Sequence, residues 1–437
     1  MVRALLISLI LLAAPATASA APFGELPFQP AGGAAACLKP TGKPGELVRW
    51  VRGGVQLMEA RADGLHATGG APLGTYTACP AVASDANGAA VLAAPLKNGV
   101  RIALREPGAV TWSAPVTLPE IQTWGISAAV SARGDAVLAW MEGDLEGRVR
   151  IRGVRRAAGG AVGAVEELVP WQEEGGYEVG VEVGMSAAGE AIVVHSEPSG
   201  ERDGDEETVR VLARIAPPGG PLGPPRTLVT ARSDTPPALA VAPDGRALVA
   251  LGGFNDMQLY ERAPGGDFAP LQVLEVGSLF GRLALDLQPN GAAVVAWRQG
   301  DYDPIRAIVR GGPGRFNPPL AAAEAPKPLR RSSISSLYLM TGTNPPPEDA
   351  QDVVASLGPD GRALLAWSTP EHGVGTVTVR DGVPSGATLL GSPLRPSAGL
   401  SPFTLADGSP ALAWTDDRGL HDRDAADGRL HLALEGV

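Results

Sequence analysis

Two cysteines in 437 residues, 5% aromatics, little lysine and no apolar run of 18 residues beyond position 20 mark what this sequence lacks. Each scarcity excludes something. Two cysteines form no four-ligand zinc site without nearby histidines, and the nearest, His66, stands alone. The balance of 36 Lys+Arg against 47 Asp+Glu gives a net charge of −11, which argues against a nucleic-acid partner. The missing long apolar run leaves no candidate for a spanning helix after the first twenty residues. No Gly-x-Ser-x-Gly elbow, Walker loop or His-Glu-x-x-His occurs, so no local catalytic motif is present. Glycine and proline are plentiful instead, 57 and 41 residues, together about 22%. Helix breakers at that density leave no room for a bundle of long helices.

Residues 1–20 carry the three parts of a secretory signal. Arg3 is the positive start, Ala4–Ala14 the apolar stretch, and Ala18-Ser19-Ala20 the small-residue cleavage site. The mature chain is expected to start at Ala21 as one domain, residues 21–437, exported to the periplasm or the medium. Removing Arg3 and no acid brings its charge to −12. No cysteine follows the cleavage site, which excludes a lipoprotein. In an oxidising compartment Cys37 and Cys79 are expected to form a disulfide. They lie eight and nine residues before turn glycines Gly45 and Gly88, at matching places in successive repeats.

The repeat is the strongest signal. A short apolar strand, a turn ending in Gly, then an apolar run recur as Ala128–Trp140, Ala238–Leu251, Ala284–Trp297, Val353–Trp367 and Phe403–Trp414. Weaker copies are Ala81–Ala94, Val181–His195 and a divergent one at Gly45–Trp50. The turn glycines are Gly45, Gly88, Gly134, Gly189, Gly245, Gly291, Gly361 and Gly408, about 52 residues apart on average. Gly suits a tight hairpin because it tolerates positive φ. Six residues after it stands Trp140, Trp297, Trp367 or Trp414, with His195, Leu251 and Ala94 in other copies. The strand after the Gly is apolar on both faces, as a strand covered on both sides would be.

A third strand follows, seen in Arg101–Arg105, Arg148–Val154, Val209–Arg214, Ile305–Arg310 and Thr376–Arg380. It alternates and ends in Arg, and is expected to face water. A fourth segment carries an aromatic and a proline: Trp112–Leu118, Phe268–Leu274 and Phe316–Leu320. Four short strands per roughly 50 residues is the cadence of a β-propeller blade. The eighth copy ends after its third strand, Gly428–Leu434, while Phe23–Pro30 has the character of a fourth. The fold class is therefore all-β: an eight-bladed β-propeller, seven blades being the alternative, closed by an N-terminal strand that hides the open edges. The turns Pro243-Asp244-Gly245 and Pro359-Asp360-Gly361 resemble those of exported bacterial propeller repeat proteins, which implies the same fold and no chemistry. In the Asp boxes of sialidases the Trp stands three residues after the Gly; here it stands six after.

Propeller topology sorts the loops. With strands A to D running outward, A–B and C–D turns share one face, and B–C loops share the other with the connections between blades. The B–C loops are long and acidic. They carry Glu142, Asp144 and Glu146; Glu197, Glu201, Asp203, Asp205, Glu206 and Glu207; and Asp416, Asp417, Asp422, Asp424 and Asp427. The candidate binding face is centred on Glu201, Asp203, Asp205, Asp416, Asp417, Asp422 and Asp424. An insertion over residues 321–351 falls over the same face. Such a rim suits a cationic partner or a structural Ca²⁺, and equally suits solubility alone. Asp422-x-Asp424-x-x-Asp427 is one residue too long for an EF-hand loop. The arginines ending strand C, Arg61, Arg105, Arg214, Arg262, Arg310 and Arg380, belong to the opposite face and are expected to pair with turn carboxylates such as Asp244 and Asp360.

Two functions fit. One is a monomeric, cofactor-free, non-catalytic scaffold that binds a protein, peptide or glycan on the loop face. The other is a glycoside hydrolase or lyase with two carboxylates from different blades at the central channel.

Overall fold

The computed structural model describes residues 23–435 except 26–28, 31–37, 42, 52–53, 72, 74–79, 86, 97, 120–122, 145, 174–179, 204–205, 234, 254, 278, 299–304, 324–352, 359, 370–372, 391–396, 406–409 and 417–428. Its regular structure is strand throughout, arranged in eight antiparallel sheets. Blades 1 to 8 span residues 38–71, 81–119, 123–173, 181–231, 238–275, 280–323, 353–390 and 397–435. The eight-bladed count is the one set by the turn glycines.

Burial grades outward across each blade as the repeat requires. Strand B is dry on both faces: β8 (Ala90–Leu96), β12 (Ala136–Gly143), β20 (Ala247–Gly252) and β24 (Ala293–Arg298) are buried along nearly their whole length. Strand A is half-buried at every position of β7 (Ala81–Ser84) and β19 (Ala238–Val241), because one side looks into the central channel. Strand D is the wet one, as in β10 (Val116–Pro119) and β18 (Arg226–Ala231). Strand C is mixed. β9 (Gly99–Arg105) and β25 (Ile305–Arg310) are almost wholly buried, whereas β13 (Arg148–Arg156) and β21 (Asp256–Arg262) alternate as expected.

The hydrophobic core is a set of seams between adjacent blades. Trp140, Trp297, Trp367 and Trp414 all turn toward the preceding blade and are fully or almost fully buried. Gly375, opposite Trp367 on strand C, makes room for that indole: a Cβ there would collide with the ring. Gly189 serves a seam differently. Its φ is +88°, and a Cβ would press on Asp135 and Arg133 of the preceding blade.

Ring closure follows the expected exchange. β1 (Phe23–Glu25) and β2 (Gln29–Pro30) both pair antiparallel with β34 (Arg429–Glu435). Gly24 lies opposite Leu434, and Gln29 opposite Leu430. The N-terminal segment thus supplies the outer strand that blade 8 lacks. Cys37, Cys79 and most of the 321–351 insertion lie outside the described residues.

Candidate binding face

The B–C connections mark one face of the ring, and among the described residues the strands flanking that of blade 4 are the longest. In blade 4, β16 (Ala191–Asp203) and β17 (Glu206–Ala216) are 13 and 11 residues long. Their counterparts in blade 5, β20 and β21 (Asp256–Arg262), have 6 and 7. The pair continues past the body of the blade as a hairpin arm to Asp203 opposite Glu206, with a register shift between Pro198 and Arg202. Hydroxyls pin the arm where it bends. Ser199 and Thr208 share a hydrogen bond of 2.6 Å, Glu201 N donates to Ser199 Oγ at 2.9 Å, and Thr208 Oγ1 donates to the Glu201 carbonyl at 3.2 Å.

Glu201 sits exposed on this arm and Asp203 ends its first strand; Asp205 lies outside the described residues. Asp416 ends β33 (Pro410–Asp416) opposite Arg429, and Asp417, Asp422 and Asp424 lie outside the described residues. Among the described residues no three His, Cys, Asp or Glu side chains gather as a metal would need.

Several acids of this face are not solvated charges. Glu142 is completely buried, accepts from Trp140 Nε1 at 2.7 Å, and pairs with Arg150 at 2.6 Å. Arg150 also lies 4.5 Å over the Trp171 ring. Asp144 pairs with Arg148 at 2.7 Å, and Glu197 with Arg210 at 2.9 Å. Arg148 and its backbone amide, with the Glu146 amide, outweigh partial burial and hold the Asp144 carboxyl below the usual range. Arginines of strand C therefore neutralise the base of the rim, an arrangement that the spacing of the acids alone does not disclose.

On the opposite face, among the described residues, arginine latches close four of the eight seams. Arg105 donates to the Gly88 carbonyl at 2.8 Å and forks onto Glu46 of blade 1. Arg156 joins Gly134 O to Glu106 of blade 2. Arg262 joins Gly245 O and Gly266 O to Glu190 of blade 4, and Arg310 reaches Glu261 of blade 5. Trp112 and Phe316 lie against Arg105 and Arg310, at 5.1 and 4.9 Å from their ring centroids. In these four the pairing is between blades and the carboxylates are glutamates. Of the other strand C arginines, Arg61 pairs with Glu59 of its own strand at 2.7 Å, Arg214 donates to the Leu168 carbonyl of blade 3 at 2.9 Å, and Arg380 is exposed. Asp360 pairs with Arg362 two residues on, and Asp244 caps the amide of Arg246.

Inner strands are joined across seams by polar groups. Ser127 Oγ donates to Glu182 at 2.8 Å between blades 3 and 4. Asp286 accepts Leu357 N at 2.7 Å between blades 6 and 7, and Ser401 Oγ donates to Leu38 O at 2.5 Å between blades 8 and 1. Burial of the Asp286 carboxyl raises its pKa, against the Leu357 and Leu287 amides that lower it.

His195 takes the tryptophan position in blade 4. It is 1% exposed, its Nδ1 has no hydrogen-bond partner, and burial, aided by the charge of Arg214, pushes its pKa to about 4. The ring is therefore neutral in the folded protein near neutrality. The unfolded chain binds a proton that the folded chain refuses between pH 6.5 and about 4, so stability falls as pH drops through that window. The loss is expected to reach roughly 3 kcal/mol at the low end. His195→Leu should flatten that part of the profile in denaturant titrations; an unchanged slope would refute the assignment.

No protein-family model and no curated protein matches the sequence. Among solved structures the chain is similar to the Dos1 propeller, with a TM-score of 0.53 at 10% identity, covering 94% of this chain and 95% of that one. It is also similar to the NanB sialidase of Streptococcus pneumoniae, with a TM-score of 0.39 at 7% identity, covering 94% of each chain. For a puromycin hydrolase mutant complexed with PGG the TM-score is 0.43 at 18% identity, covering 89% of this chain and 59% of that one. The protein is an eight-bladed β-propeller.

Proposed function

We propose that this propeller is an exported, monomeric, non-catalytic scaffold that holds a protein, peptide or glycan on its B–C face. The blade 4 arm carries the reading. A hairpin of strands 13 and 11 residues long stands out from the 6 to 9 residues of the other described B and C strands, and its tip bears acids of the expected face. A scaffold whose B–C turns needed only to connect strands would have no use for it. The described carboxylates of the inner ring, Glu182 and Asp286, are engaged in hydrogen bonds between blades, which favours binding over hydrolysis.

Acids at the arm and the blade 8 loop repel anionic partners and speed encounter with basic ones, more so at low salt. The test replaces residues 199–207 by an Asn-Gly turn and, separately, neutralises Asp203, Asp205, Asp416 and Asp417. Both variants are screened against a basic peptide library and a glycan array. Melting should change little, since solvated charges contribute little to stability. Binding of the best ligand should weaken at least tenfold, with a shallower salt dependence in the neutralised variant. Unchanged ligands and salt dependence in both would sink the proposed face. Turnover of chromogenic glycosides would establish the hydrolase reading instead.

A further inference from the structure

Every blade has one strand B residue four positions past its turn glycine that points into the seam with the preceding blade. In seven blades it is Leu92, Leu138, Val193, Val249, Val295, Leu365 or Leu412, each buried in its seam core. In blade 1 it is Arg49, on β4 (Glu46–Val51), paired with Leu38 on one side and Gln56 on the other. Leu47, two residues earlier on the same side, packs in the seam between blades 1 and 8 with Ala411 and Ala413. Arg49 points the same way.

Arg49 is only 8% exposed, yet its Nε and Nη2 have no hydrogen-bond partner. The carboxylate of its own strand, Glu46, is committed to Arg105 at 2.6 Å. Burial alone acts on the Arg49 pKa, lowering it with no carboxylate opposing. A charge in that state costs several kcal/mol, and a leucine like those of the other seams would avoid the cost.

We propose that Arg49 anchors a site for a carboxylate-bearing ligand at the seam of blades 8 and 1. Nε and Nη2 form one edge of the guanidinium, the edge that holds a carboxylate by two parallel hydrogen bonds. Arginine also keeps its charge where a buried lysine would lose it. Arg49 stands two residues before strand B ends at Val51, so the rest of the ligand meets the B–C face. Both donor atoms are closed to water, so the guanidinium swings or the seam opens as the anion enters. The site does not depend on the acidic arm, and neutralising the arm leaves it intact.

The test is thermal denaturation of the whole protein in sodium acetate against sodium chloride of equal ionic strength, with sodium sulfate as a third arm. Wild type should gain several degrees in acetate along a saturating curve, because a ligand that binds only the folded state stabilises it. Arg49→Leu, which restores the residue type of the other seams, should melt no lower than wild type in chloride and ignore acetate. Arg49→Lys keeps a cation but not the fork, and should weaken acetate binding at least tenfold. An equal acetate response in wild type and R49L, or none in wild type, overturns the site. R49L melting below wild type in chloride overturns it too, by showing a structural role. Sulfate acting as strongly as acetate overturns the carboxylate assignment.

Discussion

A chain starting at residue 31 is expected to melt on the order of 5 °C below one starting at residue 21, a difference read by calorimetry. The reason is local and geometric. β1 and β2 contribute five paired positions to the open edge of β34, from Phe23 opposite Glu435 to Pro30 opposite Arg429. Each net hydrogen bond is worth about 1 kcal/mol, and for a chain of this size a few kcal/mol becomes a few degrees. Removing the strands also leaves blade 8 with an unpaired edge, a template for association. A synthetic peptide of residues 21–32 should restore much of the loss in trans. A truncated chain that melts like its parent would show that this pairing contributes nothing.

Arg262→Met is expected to cost about 3 kcal/mol in denaturant unfolding, more than any surface ion pair. Arg262 is 2% exposed and gathers Glu190, Gly245 O and Gly266 O at distances of 2.6 to 2.9 Å. Removing the guanidinium strands the buried Gly245 carbonyl and leaves the mostly buried Glu190 carboxylate without its cation, and these two partners set the cost. Glu190→Gln in the same background should recover part of the loss. Arg226→Ala, which breaks the well-exposed pair with Asp267, should cost under about 1 kcal/mol. Equal effects of the two arginine substitutions would show that the latches are ornamental.

Much of the ring was legible because two requirements are position-specific. A left-handed turn calls for Gly, as at Gly134 and Gly245, and a seam gap of indole size calls for Trp, as at Trp140 and Trp297. Together they locate the B strands, and the incomplete eighth copy points to Phe23–Pro30 as its missing partner. The latches were legible only on the arginine side. Their glutamates come from two unrelated places: Glu46 and Glu190 directly follow turn glycines, whereas Glu106 and Glu261 flank the end of strand C. No fixed spacing links them to their arginines. Burial of strand C is legible only in part: β13 and β21 alternate as their sequences suggest, whereas in β25 the terminal Arg310 spans a dry seam and does not mark a wet face. The acidic rim showed its residues but not its pairs. Nothing in the spacing says that Glu142 lies under Trp140 and Arg150 while Glu201 stands in solvent. Arg49 is visible as an oddity only once strand pairing puts it in register with seven apolar residues.

The mating of Gly24 with Leu434 also fixes an order of events during folding. Bringing two points some 400 residues apart together in an unfolded chain costs about 5 kcal/mol of loop entropy, about what the five paired positions return. Once the other blades have stacked, the ring itself carries blade 8 back to the start of the chain, and most of that cost has already been met by the seams. The closing strand is thus a late event of high contact order, whose native partner exists only after the other sheets have formed. Refolding should show a slow final phase that tracks this closure, and the chain starting at residue 31 should lack it while keeping the faster phases of blade assembly.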